Sequence, residues 1–219
     1  MKTITCYLDP ISPYAALGFR ALPQALQGHS VAVVYRPILF AGLLNALGHQ
    51  GPAELAPKRA WTYRQVAWLA HRQGWTLQMP AAHPFNPLAL LRLAWACAAP
   101  TGEPGDTPAR WVVEQLFQHV WQGEGQAADD PARLAVLTER LAPRQDPAGE
   151  AVRQRLRAET DAALAHGVFG VPSFELDGRL FWGQDALPML RAALDGDPWF
   201  AGAAWDDAAR PRPGVQRLR

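Results

Sequence analysis

Cysteine is scarce in this chain of 219 residues. Only Cys6 and Cys97 occur, in no Cys-x-x-Cys pair, which excludes a disulfide framework and a sequence-adjacent redox pair. Cys6 falls in an apolar run and Cys97 in a helical pattern, so both read as buried thiols acting as small core residues. The six histidines, at 29, 49, 71, 83, 119 and 166, form no His-Glu-x-x-His or similar spacing, and no metal site is expected. An excess of one charge is also missing. Lys plus Arg number 21 against 20 Asp plus Glu, with no face-wide basic run, which removes the electrostatic case for nucleic acid or a membrane surface as partner. No apolar run approaches a membrane span, no charged-then-apolar leader precedes the first strand, and no repeat is visible. These absences predict a soluble, cytoplasmic protein. With 49% hydrophobic content, the length suits one large domain or a domain carrying a sizeable insertion.

What is present begins with strand and helix signals in alternation. Residues 1–8 form an apolar run that reads as a buried strand, and Ala15, Leu17, Gly18, Ala21, Leu22, Ala25 and Leu26 follow a helical period starting near Pro13. Ser12 then falls at a helix N-cap and Pro13 at the first helical position, where a missing N–H costs nothing. These residues alone allow two readings of Ser12. One is a structural cap; the other is a helix N-terminus whose aligned amides and positive dipole end favour a bound anion such as a thiolate. Residues 30–36, rich in β-branched side chains and closed by Pro37, predict a second strand, hence a right-handed βαβ unit.

Beyond Ile38 the pattern becomes helical and Gly-punctuated. Residues 40–51 read as a Gly-punctuated segment with no element assigned, residues 52–74 as a helix ended by Gly74, and the Pro-rich 79–87 as a loop. Further helices are predicted from Asn86-Pro87 to Cys97, from Thr107-Pro108 to about Trp121, from Asp130-Pro131 to Leu141 and over 147–166, with a polar turn at 101–106. Trp61, Trp68 and Trp75, seven residues apart, read as one core-facing helix stripe. Strand character returns at 173–176 and 179–182 around Asp177-Gly178, a strong hairpin signal. A last helix is expected over 184–194, then an aromatic extension carrying Trp199, Phe200 and Trp205 that packs back on the body. The basic end from Arg210 reads as a poorly ordered tail.

The order βαβ, helices, ββα is the thioredoxin-like arrangement with an insertion between its halves. Four stretches, 7–15, 120–125, 167–173 and 182–185, together resemble the 2-hydroxychromene-2-carboxylate isomerase family, related to kappa-class glutathione transferases and DsbA-type oxidoreductases. The resemblance implies an α/β fold: a thioredoxin-like βαβ…ββα core in 1–40 and 167–197, a large all-helical insertion domain in 41–166, and a C-terminal extension in 198–219. It further implies that Ser12 stands where the oxidoreductases carry their redox cysteine. Lacking both sulfurs, this site cannot exchange disulfides, and glutathione becomes the expected cofactor. Ser12 would hydrogen-bond its thiolate, although the serine itself is also described as the nucleophile.

By the same resemblance Val171-Pro172 matches a cis-proline turn that receives the peptide part of glutathione. Trp182, Gly183, Gln184 and Asp185 match the segment that binds its γ-glutamyl end. Substrate residues depart from the family pattern. His49 replaces an asparagine, and Leu44, Glu54 and Leu55 stand where naphthalene-pathway members carry a lysine and an Asn-Arg pair. The candidate replacements are His49, Lys58, His83, Asn86 and Arg92: Lys58 or Arg92 for a substrate carboxylate, His83 or Asn86 for a phenolic oxygen. The implied activity is isomerisation of a small aromatic degradation intermediate, with the thiolate adding to a conjugated side chain and then leaving. The alternatives are a kappa-like transferase and a non-catalytic glutathione-binding module. The relatives also make a homodimer the expectation.

Overall fold

A computed structural model of the chain describes residues 1–100, 106–212 and 214. The polar turn expected at 101–106 and the basic tail therefore fall largely outside the described residues. A four-stranded mixed sheet organises the rest, in the order β2-β1-β3-β4. Strand β1 (Lys2–Leu8) pairs in parallel with β2 (Val31–Pro37), and helix α1 (Pro13–Ala25) provides the crossover. Strand β3 (Ser173–Leu176) lies antiparallel to β1 with Tyr7 opposite Ser173, and β4 (Arg179–Trp182) closes the sheet antiparallel to β3. Asp177 and Gly178 both take positive φ in the hairpin (51° and 76°), the geometry of a type I′ turn.

Alternation along β1 sets the two faces of the sheet. Ile4, Cys6 and Leu8 join Phe19, Leu22, Phe174 and Leu190 in the main core, which α1 and α8 (Leu187–Asp195) cover. Tyr7 points the other way, into a cluster with Ile38, Leu43, Ala163 and Val168. That second face is covered by α2 (Phe40–Leu47) and α7 (Glu150–Ala165). Between them in sequence lie α3 (Ala56–Arg72), α4 (Leu88–Cys97), α5 (Arg110–Trp121) and α6 (Pro131–Leu141). Two short helices, α9 (Pro198–Ala201) and α10 (Ala204–Ala208), end the described chain. Phe200 and Trp205 from these helices stack against Phe181 of β4.

Several local expectations change. The segment 40–51 contains α2, which Gly48 terminates in the left-handed conformation (φ 66°). Helices α5 and α7 begin at Arg110 and Glu150, two and three residues beyond the prolines that were expected to open them. The stretch 184–186 is a turn of 3₁₀ helix that leads into α8. The tryptophan stripe is not core: Trp61 and Trp68 are 63% and 53% exposed, and Trp75 lies past the end of α3. The buried stripe of that helix is instead Thr62, Val66 and Ala70, spaced by four residues, which turns the tryptophans outward. Cys97 is only half-buried, whereas Cys6 is fully enclosed.

Candidate active site

The site forms where the end of β1 turns into α1. Ser12 takes extended backbone angles and caps the helix, its Oγ accepting from the Ala15 N–H at 3.2 Å. The same hydroxyl donates to the Val171 carbonyl at 3.3 Å, joining the first half of the fold to the second. The Val171–Pro172 peptide bond is cis. Gly18 allows this approach, since a Cβ there would meet the Pro172 ring at 3.0 Å and Gln184 at 3.4 Å. The proline turn and the start of the 3₁₀ segment both lie against α1 for that reason.

Several donors at this junction find no acceptor among the described residues: the backbone N–H groups of Tyr14, Val171, Gln184 and Asp185. The Asp185 carboxylate is exposed and has no cation within ion-pair distance among the described residues. Gly183, at φ 95°, places it there, and a side chain at 183 would run into the Asp185 carboxylate. Trp182 has a different position from its neighbours. Its ring covers Gly170, stacks on Phe169 with centroids 4.8 Å apart, and is 56% exposed. Ser12, Val171, Pro172, Gln184 and Asp185 thus come together beside the start of α1, with open donors and a single carboxylate. A helix N-terminus of this kind favours anions, and a carboxylate beside it favours a ligand carrying an ammonium as well.

A second set of residues fixes the loop before Ser12. Asp9 is fully buried; its Oδ1 accepts from the Ile11 N–H and its Oδ2 from the Phe40 N–H, each at 3.0 Å, so one carboxylate ties the loop to the start of α2. Burial pushes the Asp9 carboxyl up to about 7, against the lowering effect of those two bonds. Trp121 Nε1 donates to the Pro10 carbonyl at 2.9 Å, and His83 Nε2 lies 2.8 Å from the Ile11 carbonyl. Tyr63 OH sits 2.8 Å from His83 Nδ1.

The substrate candidates are dispersed. His49 and Lys58 are exposed, after α2 and within α3. Asn86 spends its Oδ1 on the Leu88 N–H at 3.1 Å, and both ring nitrogens of His83 are engaged within the protein. Arg92, on α4, has a buried Nε without an acceptor among the described residues. Sequence reasoning missed Asp9, Tyr63 and Trp121. Asp9 carries a local signal, a carboxylate at the end of an apolar strand, and Trp121 lies in the 120–125 stretch that carries the family resemblance; Tyr63 has neither.

Fold and site together define a thioredoxin-like protein in which a serine hydroxyl caps the first helix opposite a cis-proline turn. Residues 3–195 match the family model described as a DSBA-like thioredoxin domain, and the chain belongs to that family. It is 29% identical over 203 residues to a 2-hydroxychromene-2-carboxylate isomerase of Sphingobium xenophagum, spanning 88% of this chain and 98% of that one. It is 24% identical to glutathione S-transferase kappa 1 of Rattus norvegicus, over 90% of this chain and 92% of the relative. A solved 2-hydroxychromene-2-carboxylate isomerase superposes with a TM-score of 0.75 at 25% identity, covering 95% of this chain and all of the other.

Proposed function

We propose that the protein is a glutathione-dependent isomerase of 2-hydroxychromene-2-carboxylate-type intermediates in aromatic compound breakdown. The observation that carries this reading is the Ser12 hydroxyl, set at the N-terminus of α1 opposite Val171-Pro172, in a chain whose two thiols lie elsewhere. Relatives named for that isomerisation and for glutathione transfer support it. The open groups beside the start of α1 suit glutathione. The free N–H and the carbonyl of Val171 suit its peptide portion, the open N–H groups of Gln184 and Asp185 suit the γ-glutamyl carboxylate, and the Asp185 carboxylate suits the ammonium. When bound, glutathione supplies a sulfur nucleophile that adds reversibly to a conjugated side chain.

The protein's part is to hold and activate. Rotation about the Ser12 Cβ–Oγ bond turns the hydroxyl hydrogen from the Val171 carbonyl toward the sulfur while Oγ still accepts from the Ala15 N–H, and the Tyr14 N–H and the α1 dipole further favour the thiolate. Lys58 or Arg92 is proposed to meet the substrate carboxylate, and His49 to line its approach. The test is product analysis after incubation with a 2-hydroxychromene-2-carboxylate and glutathione. An isomeric product with glutathione recovered free supports the reading. A stable glutathione adduct replaces it with a kappa-like transferase, and calorimetry without a glutathione binding signal replaces it with a module that has lost the cofactor.

A further inference from the structure

The loop Asp9-Pro10-Ile11-Ser12 could have been held by the sheet alone, yet its last two carbonyls before Ser12 are held from outside the thioredoxin-like core. Trp121, at the end of α5, is fully buried and donates to the Pro10 carbonyl. His83, in the Pro-rich segment before α4, reaches the Ile11 carbonyl. A carbonyl can only accept, so His83 carries its proton on Nε2; Nδ1 is then an acceptor facing the Tyr63 hydroxyl of α3, whose proton is shared between Nδ1 at 2.8 Å and the His83 carbonyl at 3.1 Å. Burial pulls the His83 pKa below its ordinary value, in keeping with a neutral ring. The rings are packed as well as bonded: His83 lies 5.5 Å from Tyr63 and 5.6 Å from Trp121, centroid to centroid. Asp9 completes the frame from below through the Ile11 N–H. Both peptide units that lead into Ser12 are therefore fixed, and a rotation of either would swing the Ser12 Oγ.

We propose that His83, oriented by Tyr63, and Trp121 are positioning residues that clamp the Pro10 and Ile11 carbonyls and so fix the direction of the Ser12 hydroxyl. The proposal deepens the functional reading above and rests on it for the consequence in catalysis. It also gives His83 a role distinct from substrate contact, and it makes the helices between β2 and β3 part of the catalytic apparatus even where they touch no ligand. Glutathione is held mainly by Val171, Gln184 and Asp185, so loosening the clamp lowers turnover without weakening cofactor binding.

Three variants of the full chain test this. His83→Phe keeps a ring and removes the N–H; His83→Gln restores an N–H at nearly the same reach as Nε2; Trp121→Phe removes the other donor. Amide hydrogen exchange of Ile11 and Ser12 reads the loop directly, and steady-state kinetics read the consequence. In His83→Phe, exchange at these amides is expected to rise about tenfold or more, and kcat to fall about tenfold to a hundredfold with KM for glutathione within about twofold. His83→Gln recovers most of both. If His83→Phe does not fold, Trp121→Phe carries the same expectation. Unchanged exchange in the Phe variants overturns the clamp, as does failure of His83→Gln to restore what His83→Phe lost. Absence of glutathione-dependent turnover in the unsubstituted chain overturns the functional reading instead, and the exchange comparison still decides whether the clamp exists.

Discussion

Replacing Asp9 with asparagine separates two effects that burial has joined. In the folded chain the carboxyl titrates near pH 7, because burial penalises its charge, while an unfolded chain returns it to about 3.8. Between those values the folded state holds a proton that the unfolded state has released. The contribution of Asp9 to stability is therefore greatest below about pH 4, falls by about 1.4 kcal/mol for each pH unit up to about pH 7, and is flat beyond. Summed over that window the loss is roughly 4 kcal/mol, an upper figure for a group that also accepts two N–H bonds. The amide of Asp9→Asn carries no titrating proton, so this slope disappears. It does leave one cost: an amide has one acceptor oxygen, and either the Ile11 or the Phe40 N–H loses its partner, at about 1–3 kcal/mol. The variant's stability relative to the wild type is expected to rise by about 3 kcal/mol between pH 5 and pH 8, so that it overtakes the wild type by pH 8. Urea denaturation of both chains at pH 5, 6, 7 and 8 measures this. A stability difference that stays constant across that range would refute this role for the Asp9 carboxyl.

Three further outcomes follow from the site. Ser12→Ala removes the cap on the Ala15 N–H and the bond to Val171; it is expected to cost about 1 kcal/mol in denaturant melts and, more severely, most of the glutathione-dependent rate. Gly183→Ala forces a side chain into positive φ and against the Asp185 carboxylate, so glutathione affinity measured by calorimetry should fall at least as clearly as stability, which drops by about 1–3 kcal/mol. Burial pushes the Cys6 thiol up to about 12 and the Cys97 thiol up to about 11, leaving a thiolate fraction at pH 8 on the order of one in a thousand or less. Mass spectrometry should accordingly find neither thiol alkylated by iodoacetamide under conditions that consume free glutathione.

The sequence made some of this architecture readable and concealed the rest for identifiable reasons. Ser12-Pro13 and Asp130-Pro131 mark helix starts that the structure reproduces, because a capping side chain and a proline act within a single turn. Asp177-Gly178 marks the hairpin for the same local reason. Helix α2 is hard to read because its cap side chain is not its own: Asp9, 31 residues earlier, accepts from its first N–H. Trp61 and Trp68 mislead because a seven-residue spacing says that two side chains share a helix face without saying which face is buried. The loop clamp is invisible in a linear pattern. His83 is 72 residues from Ile11 and Trp121 is 111 from Pro10, and nothing in their spacing ties an imidazole or an indole to a particular carbonyl. Ser12 could be read from its own position as an anion-favouring cap, whereas Val171, Pro172, Gln184 and Asp185 were reachable only through family resemblance, since Gln184 and Asp185 taken alone look like any helix start.

The most direct test of the central claim is a crystal structure of the chain grown with glutathione. The sulfur is expected within hydrogen-bond distance of Ser12 Oγ, the γ-glutamyl end at Gln184 and Asp185, and the Ser12 hydroxyl turned away from the Val171 carbonyl. Glutathione bound with its sulfur remote from Ser12, or no glutathione bound beside Ser12 at saturating concentration, would contradict it.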